Sequence, residues 1–162
     1  MFKLNNWKQK IYWDDLKSVL LNGLLFSIVG GALGGVIDCL LQMIGIPIGV
    51  GLIIICYLIG TKLSRAYYNY HILYPVLSIP FMIIGLLSSM FMQMGVITRS
   101  IEYVFYLMTM PETYLMYLLS PIYYLISCIK TFDLYALMWC IFNAIVYIYA
   151  FVTCYKIIKG RN

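Results

Sequence analysis

Four stretches of the chain stay apolar for the length of a membrane crossing, and short polar or proline-marked breaks separate them. About 20 such residues suffice to span a bilayer as a helix. The first stretch covers 18–44. A turn at Gly45-Ile46-Pro47 leads into the second, 48–66, and so short and uncharged a connection implies an antiparallel helical hairpin. The segment that follows sets Lys62 and Arg65 beside Tyr67, Tyr68, Tyr70, His71 and Tyr74. Basic and aromatic residues mixed in this way mark a membrane–water boundary. The third stretch, 72–98, carries Pro75 and Pro80 in its first turns; the former is tolerable near a helix start and the latter predicts a kink. The fourth is 134–156.

Residues 101–130 fit this pattern less easily. They are apolar and rich in tyrosine, but Pro111-Glu112 breaks them, and Pro121 is predicted to break them again. The pieces 101–110 and 114–129 are each short for a full crossing. Charge decides how to read them. With four spans, one side holds Lys3, Lys8, Lys10, Lys17, Lys62, Arg65, Lys156, Lys159 and Arg161, while the other keeps only Arg99 and Lys130 with Glu102, Glu112 and Asp133. Basic residues concentrate on the cytoplasmic side, so both termini are expected there. One more span would carry the C-terminal KIIKGRN outside. Residues 101–130 are therefore expected to form an outer-face helical hairpin or re-entrant pair. At the other end, residues 1–17 place Leu4, Trp7 and Ile11 on one helical face with lysines around the rest, which suits a short helix in the headgroup region.

Composition supports a lipid environment. The chain is 64% apolar and 10% charged, against about 25% charged in soluble domains. At 162 residues it suits one unit, 1–162, and is too short to bury so much apolar surface in water. The expected class is all-α: a polytopic membrane protein with four transmembrane helices, an N-terminal interfacial helix and the outer hairpin. The net charge of +5 comes from residues at span ends and leaves no basic block for nucleic acid. The cysteines Cys39, Cys56, Cys128, Cys140 and Cys154 form no CxxC pair and read as small apolar fillers, with Cys128 alone expected near a surface. The first apolar run is far longer than a signal-peptide core and is expected to remain as an anchor.

Within the first span, Gly23, Ser27, Gly31 and Gly35 recur every four residues, with Gly30 and Gly34 as an overlapping pair. Small residues at this spacing let another helix approach backbone to backbone, in the same chain or in a second copy. Asp38 lies four residues past Gly34 and seven past Gly31, so it projects from the small-residue face. An intramembrane aspartate costs about 2.5–3.5 kcal/mol on insertion scales and calls for a partner or a task. Gln42 follows one turn later, and Gln93 and Asn143 are further polar groups at membrane depth. Together the four make a candidate polar site. Asp38 is read either as a proton- or cation-coupled group or as a hydrogen-bonded acid that fixes helix register, the second being preferred. His71 is the sole histidine and has no carboxylate or cysteine at motif spacing. HExxH, GxSxG and phosphate-loop patterns are missing, so no enzyme, cofactor or metal site is expected.

The run GLLFSIVGGALGGVIDCLLQMIGIPIGVGLIIICYLIGTKLSR resembles the first hairpin of a group of small bacterial four-span membrane proteins. TFDLYALMWCIFNAIVYIYAFV is similar to their last span. Some of that group carry an N-terminal zinc ribbon, for which this chain has no cysteines. The resemblance implies the four-span architecture and adds no activity. The expected role is a subunit or accessory of a bacterial inner-membrane complex, acting through helix association with copies of itself or another membrane protein. The alternative is a small proton- or cation-coupled transporter or channel subunit using Asp38.

Overall fold

The computed structural model describes residues 11–46, 49–132 and 134–160. Among them the regular structure is all helix, with no strand. Among the described residues six helices follow one another: α1 (Trp13–Met43), α2 (Val50–Arg65), α3 (Leu73–Thr98), α4 (Ile101–Thr109), α5 (Pro111–Thr131) and α6 (Leu134–Lys159). Three of these, α1, α3 and α6, are long and apolar enough to cross a membrane. The 16 residues of α2 reach about 24 Å at 1.5 Å per residue, short of a hydrocarbon core of about 30 Å.

The shortest of these four helices is the most enclosed. Leu52, Ile55, Cys56, Ile59 and Leu63 of α2 are buried together with Val19 of α1, Phe81 and Met82 of α3, and Ala150, Cys154 and Ile158 of α6. Helix α2 is thus the centre on which the three longer helices pack. By contrast, α1 shows Leu20, Leu21, Leu24 and Leu25 on its outer side. That inversion, with apolar residues outside and small ones inside, suits a lipid surround.

Glycines set the spacing of the bundle. A Cβ on Gly31 would strike the carbonyl of Gly85, and one on Gly35 would strike the carbonyl of Ser89, so α1 lies backbone to backbone on α3. Gly34 faces Gly51 and Ile55, bringing α2 equally near, while Gly23 leaves room for the Phe81 ring. Of the α1 glycines, Gly30 alone has slack, its nearest neighbour being Leu58 Cδ1 at 3.7 Å. Hydrogen bonds use this proximity. The Ser88 hydroxyl of α3 donates to the Ile28 carbonyl of α1 at 2.9 Å. The glycine and serine ladder is therefore occupied by helices of the same chain.

Helix α1 begins at Trp13, five residues before the apolar run. Residues 13–17 of the expected interfacial helix are thus continuous with α1, whereas Leu4 and Trp7 lie outside the described residues. The end of α1 follows its chemistry. Gly45 takes φ +83°, its N–H donates to Gln42 O, and the Ile46 N–H donates to Leu41 O. This paired ending needs a left-handed residue and so favours glycine. It reverses the chain into α2.

Two expectations about 101–130 are corrected. The chain does break at Pro111, which takes the first position of α5 after an extended Met110, where its missing N–H costs nothing. Residue 121, however, lies within α5. Proline there leaves the Tyr117 carbonyl without its helical donor, and the Ser120 hydroxyl donates to that carbonyl instead, at 2.8 Å. Cys128, expected near a surface, is buried. Arg99 and Phe132, both in left-handed conformation, turn α3 into α4 and α5 into α6. Val104 reaches Gly95, and Phe91 meets the edges of Tyr114 and Tyr117. Helices α4 and α5 thus lie against the last third of α3.

The start of α1, the end of α2, the start of α3 and the end of α6 gather at one end of the bundle. The Asp15 carboxylate accepts the N–H groups of Tyr68 (3.3 Å) and Asn69 (3.0 Å). The Tyr67 hydroxyl donates to Ile158 O at 2.5 Å.

Gly35→Leu should push α1 off α3 and lower stability by about 1–3 kcal/mol, as overpacking does. Gly30→Ala should leave it nearly unchanged. Thermal denaturation in mild detergent, read by circular dichroism, distinguishes the two; equal midpoints would refute the close contact.

Candidate functional site

The residue before helix α2 is Gly49, which has no side chain to cap it, yet the first amides of the helix are enclosed. Other helices supply the acceptors. Asp38 Oδ1, from α1, accepts the Gly51 N–H at 2.7 Å, and the Val50 amide also serves the same carboxylate. Asn143 Oδ1, from α6, accepts the Gly49 N–H at 3.2 Å. The partial positive charge of a helix N-terminus therefore lies against the Asp38 carboxylate. Gly51 permits this approach, because a Cβ there would come within 2.7 Å of Asp38 Oδ2 and collide with the Gly34 carbonyl. Asp38 itself is only 6% exposed.

Beside this cap is a cavity of about 130 Å³, lined by Asp38, Gln42, Ser89, Gln93, Asn143 and Tyr147, with Leu52, Ile55 and Leu86 as its apolar wall. The four polar residues singled out in the sequence, from three separate helices, line this one space. Gln42 is exposed and Gln93 and Asn143 are half-buried. Gln93 Nε2 donates to Ser89 Oγ at 3.4 Å. A space of this size and polarity accommodates several waters or a small polar group. Its described lining contains one carboxylate, amides and hydroxyls, and no Lys, Arg or His.

Ser89, Tyr147 and the Gly49 amide escaped sequence reasoning. Serine and tyrosine are ordinary in apolar helices, and a backbone amide has no letter of its own. Gly23, Ser27, Gly30, Gly31, Gly34 and Gly35 face α2 and α3 rather than the cavity, and Ser27 turns inward to donate to Gly23 O at 2.5 Å. Ser27 and Gly31 thus serve helix spacing.

A second polar cluster lies at the opposite end. His71 and Tyr74 are buried there, 4% and 0% exposed, beside Tyr67, which stacks on Tyr74 at 5.0 Å between ring centroids. His71 Nδ1 accepts the Leu73 N–H at 3.1 Å, so a neutral ring carries its proton on Nε2. That nitrogen and the Tyr74 hydroxyl have no hydrogen-bond partner. Burial pushes the nearby Tyr70 phenol up, and Tyr155 adds to the effect. The arrangement ties α1, the 66–72 loop and α6 together. Among the described residues no three His, Cys, Asp or Glu side chains assemble around a point.

Comparison with protein-family models, curated proteins and solved structures returns no match. The site must be judged on its own chemistry.

Asp38→Ala should uncap α2, speed hydrogen exchange at the Val50 and Gly51 amides, and cost about 1–2 kcal/mol. Asp38→Asn keeps an acceptor oxygen and should lose less. Exchange measured by mass spectrometry on the protein in nanodiscs checks this; unchanged protection in the alanine variant would refute the capping role.

Proposed function

We propose that the chain is an integral membrane protein that binds a cationic group at the Asp38 cavity, as a small proton- or cation-coupled transporter or channel subunit. The observation that carries this reading is the convergence of Asp38, Gln42, Gln93 and Asn143 on one cavity without a basic side chain among its described lining. A carboxylate held at membrane depth, with amide and hydroxyl oxygens around it, offers a cation the ligands it loses on leaving water. The helix cap and the cation site are compatible, since a carboxylate has acceptor positions beyond those the two amides use.

The proposed topology has α1, α2, α3 and α6 as spans and α4–α5 as an outer-face hairpin. The start of α1 and the end of α6 share one end of the bundle, which fits an even number of crossings. Lys17, Lys62, Arg65, Lys156 and Lys159 belong to that end, which favours placing it in the cytoplasm of a bacterial inner membrane. Lys62 also lies 4.8 Å over the Phe26 ring, an arrangement that suits a boundary cation.

A second reading, a subunit or accessory of a membrane complex, draws on α6, of which 11% of the most apolar window is buried against 39% in α1 and α3. With the glycine ladder engaged inside the chain, association would use that outer face of α6.

In proteoliposomes, wild-type protein should support a pH-dependent cation flux that Asp38→Asn abolishes while folding is retained. No flux from wild type would overturn the transport reading and leave the complex-subunit reading standing. For topology, Phe132→Cys at the exposed α5–α6 turn should react with an impermeant maleimide added outside cells, and Gly160→Cys should not. The opposite pattern would invert the orientation. Phe132 serves better than the native Cys128, being 89% exposed against 5%.

A further inference from the structure

The Asp38 cavity is not isolated. Next to it runs an apolar groove of about 680 Å³ between α3, α5 and α6, walled by Ile122, Leu125, Ile141, Ala144 and Ile148. Met90, Asn143 and Tyr147 line both spaces, so the polar chamber and the groove lie side by side with these three side chains at their common boundary. The groove has the size of a small-molecule pocket, about 300–1,000 Å³. The cavity alone has room only for a small head.

From this adjacency we propose that the two spaces form one binding site for a lipophilic cation, an ammonium head in the Asp38 cavity carrying a hydrocarbon body along the groove. The inference rests on the reading of the Asp38 cavity as a cation site and names the class of cation. Charge selects the occupant. The described residues around both spaces include one carboxylate and no Lys, Arg or His. An anionic amphiphile would bring its charge to Asp38 without compensation, and a phospholipid would bring a phosphate with no basic partner. A neutral hydrocarbon would fill the groove but leave the oxygens of the cavity unused. A free inorganic cation would leave the groove unused. An ammonium donates hydrogen bonds to the carboxylate, amide and hydroxyl oxygens while its chain stays among aliphatic side chains. Tyr147, at the junction, adds an aromatic ring beside the path of the head.

The test is equilibrium binding to purified full-length protein in nanodiscs, with empty nanodiscs as the blank, using n-octylammonium, methylammonium, octanol and octanoate as probes. Octylammonium should bind saturably and at least about tenfold more tightly than methylammonium, a difference of about 1.4 kcal/mol, with octanol and octanoate weaker still. Asp38→Asn should lower octylammonium affinity about tenfold or more, and Ala144→Phe, which fills the groove, should remove the preference for octyl over methyl. Equal affinity for octylammonium and methylammonium would overturn this proposal while leaving the cation site intact. Binding of octanol or octanoate as tight as that of octylammonium would overturn the charge assignment. Saturable binding of neither ammonium would overturn both this proposal and the cation reading on which it rests. Should Asp38→Asn fail to fold, the probe series on wild type and the Ala144→Phe variant still decide.

Discussion

Helix α1 comes close enough to α2 and α3 for backbones to touch, and the rest of the bundle depends on that approach. Because Gly31 and Gly35 have no side chain, α3 can seat Gly85 and Ser89 directly on α1. Because Gly34 and Gly51 face each other, the first turn of α2 falls within reach of Asp38. Moving Gly34 and Gly51 apart by the width of a methyl group would end the carboxylate–amide bond and leave a carboxylate and a helix terminus buried without each other. In a lipid surround, where apolar side chains gain little by leaving hydrocarbon for protein, such close contact and its hydrogen bonds are what hold helices together.

The cap and the cavity follow from one arrangement. A helix that starts inside a bundle must find acceptors for its first amides, and α2 finds them on α1 and α6. Drawing polar side chains inward from two helices concentrates oxygen at one depth. Ser89, Gln93 and Tyr147 then complete a space that leucines would otherwise fill. The groups that let α2 begin there are thus also the groups that line the polar cavity.

Much of this was legible in the sequence, and the failures have physical causes. Long apolar runs announced α1, α3 and α6, since nothing else accounts for so many consecutive uncharged residues. The spacing of Gly31, Gly34 and Asp38 put the carboxylate on the close-packed face, because a helix fixes which residues share a side. The α1–α2 turn was readable from Gly45. What could not be read was who meets whom. The partner of Asp38 is a main-chain amide, which leaves no trace in residue type, and whether the glycine face served this chain or another depended on tertiary packing. Residue 121 reads as a break in the sequence because a proline removes a donor; the neighbouring Ser120 hydroxyl supplies another to the same Tyr117 carbonyl. Cys128 reads as peripheral on the linear map but is buried, with Cys140 of α6 nearby.

The Asp38–Gly51 bond also bears on the order in which the parts are made. Chain synthesis delivers α1 first, with its aspartate exposed to whatever surrounds the nascent chain. The compensating amide follows 13 residues later, whereas the Asn143 oxygen that completes the entrance to α2 is 94 residues from the Gly49 amide it serves. The first two helices can therefore pair with the carboxylate already satisfied, needing nothing from the remainder of the chain for that bond. The cavity beside it closes only when the last helix arrives. A protein so arranged satisfies its carboxylate early and completes the walls of its polar cavity late.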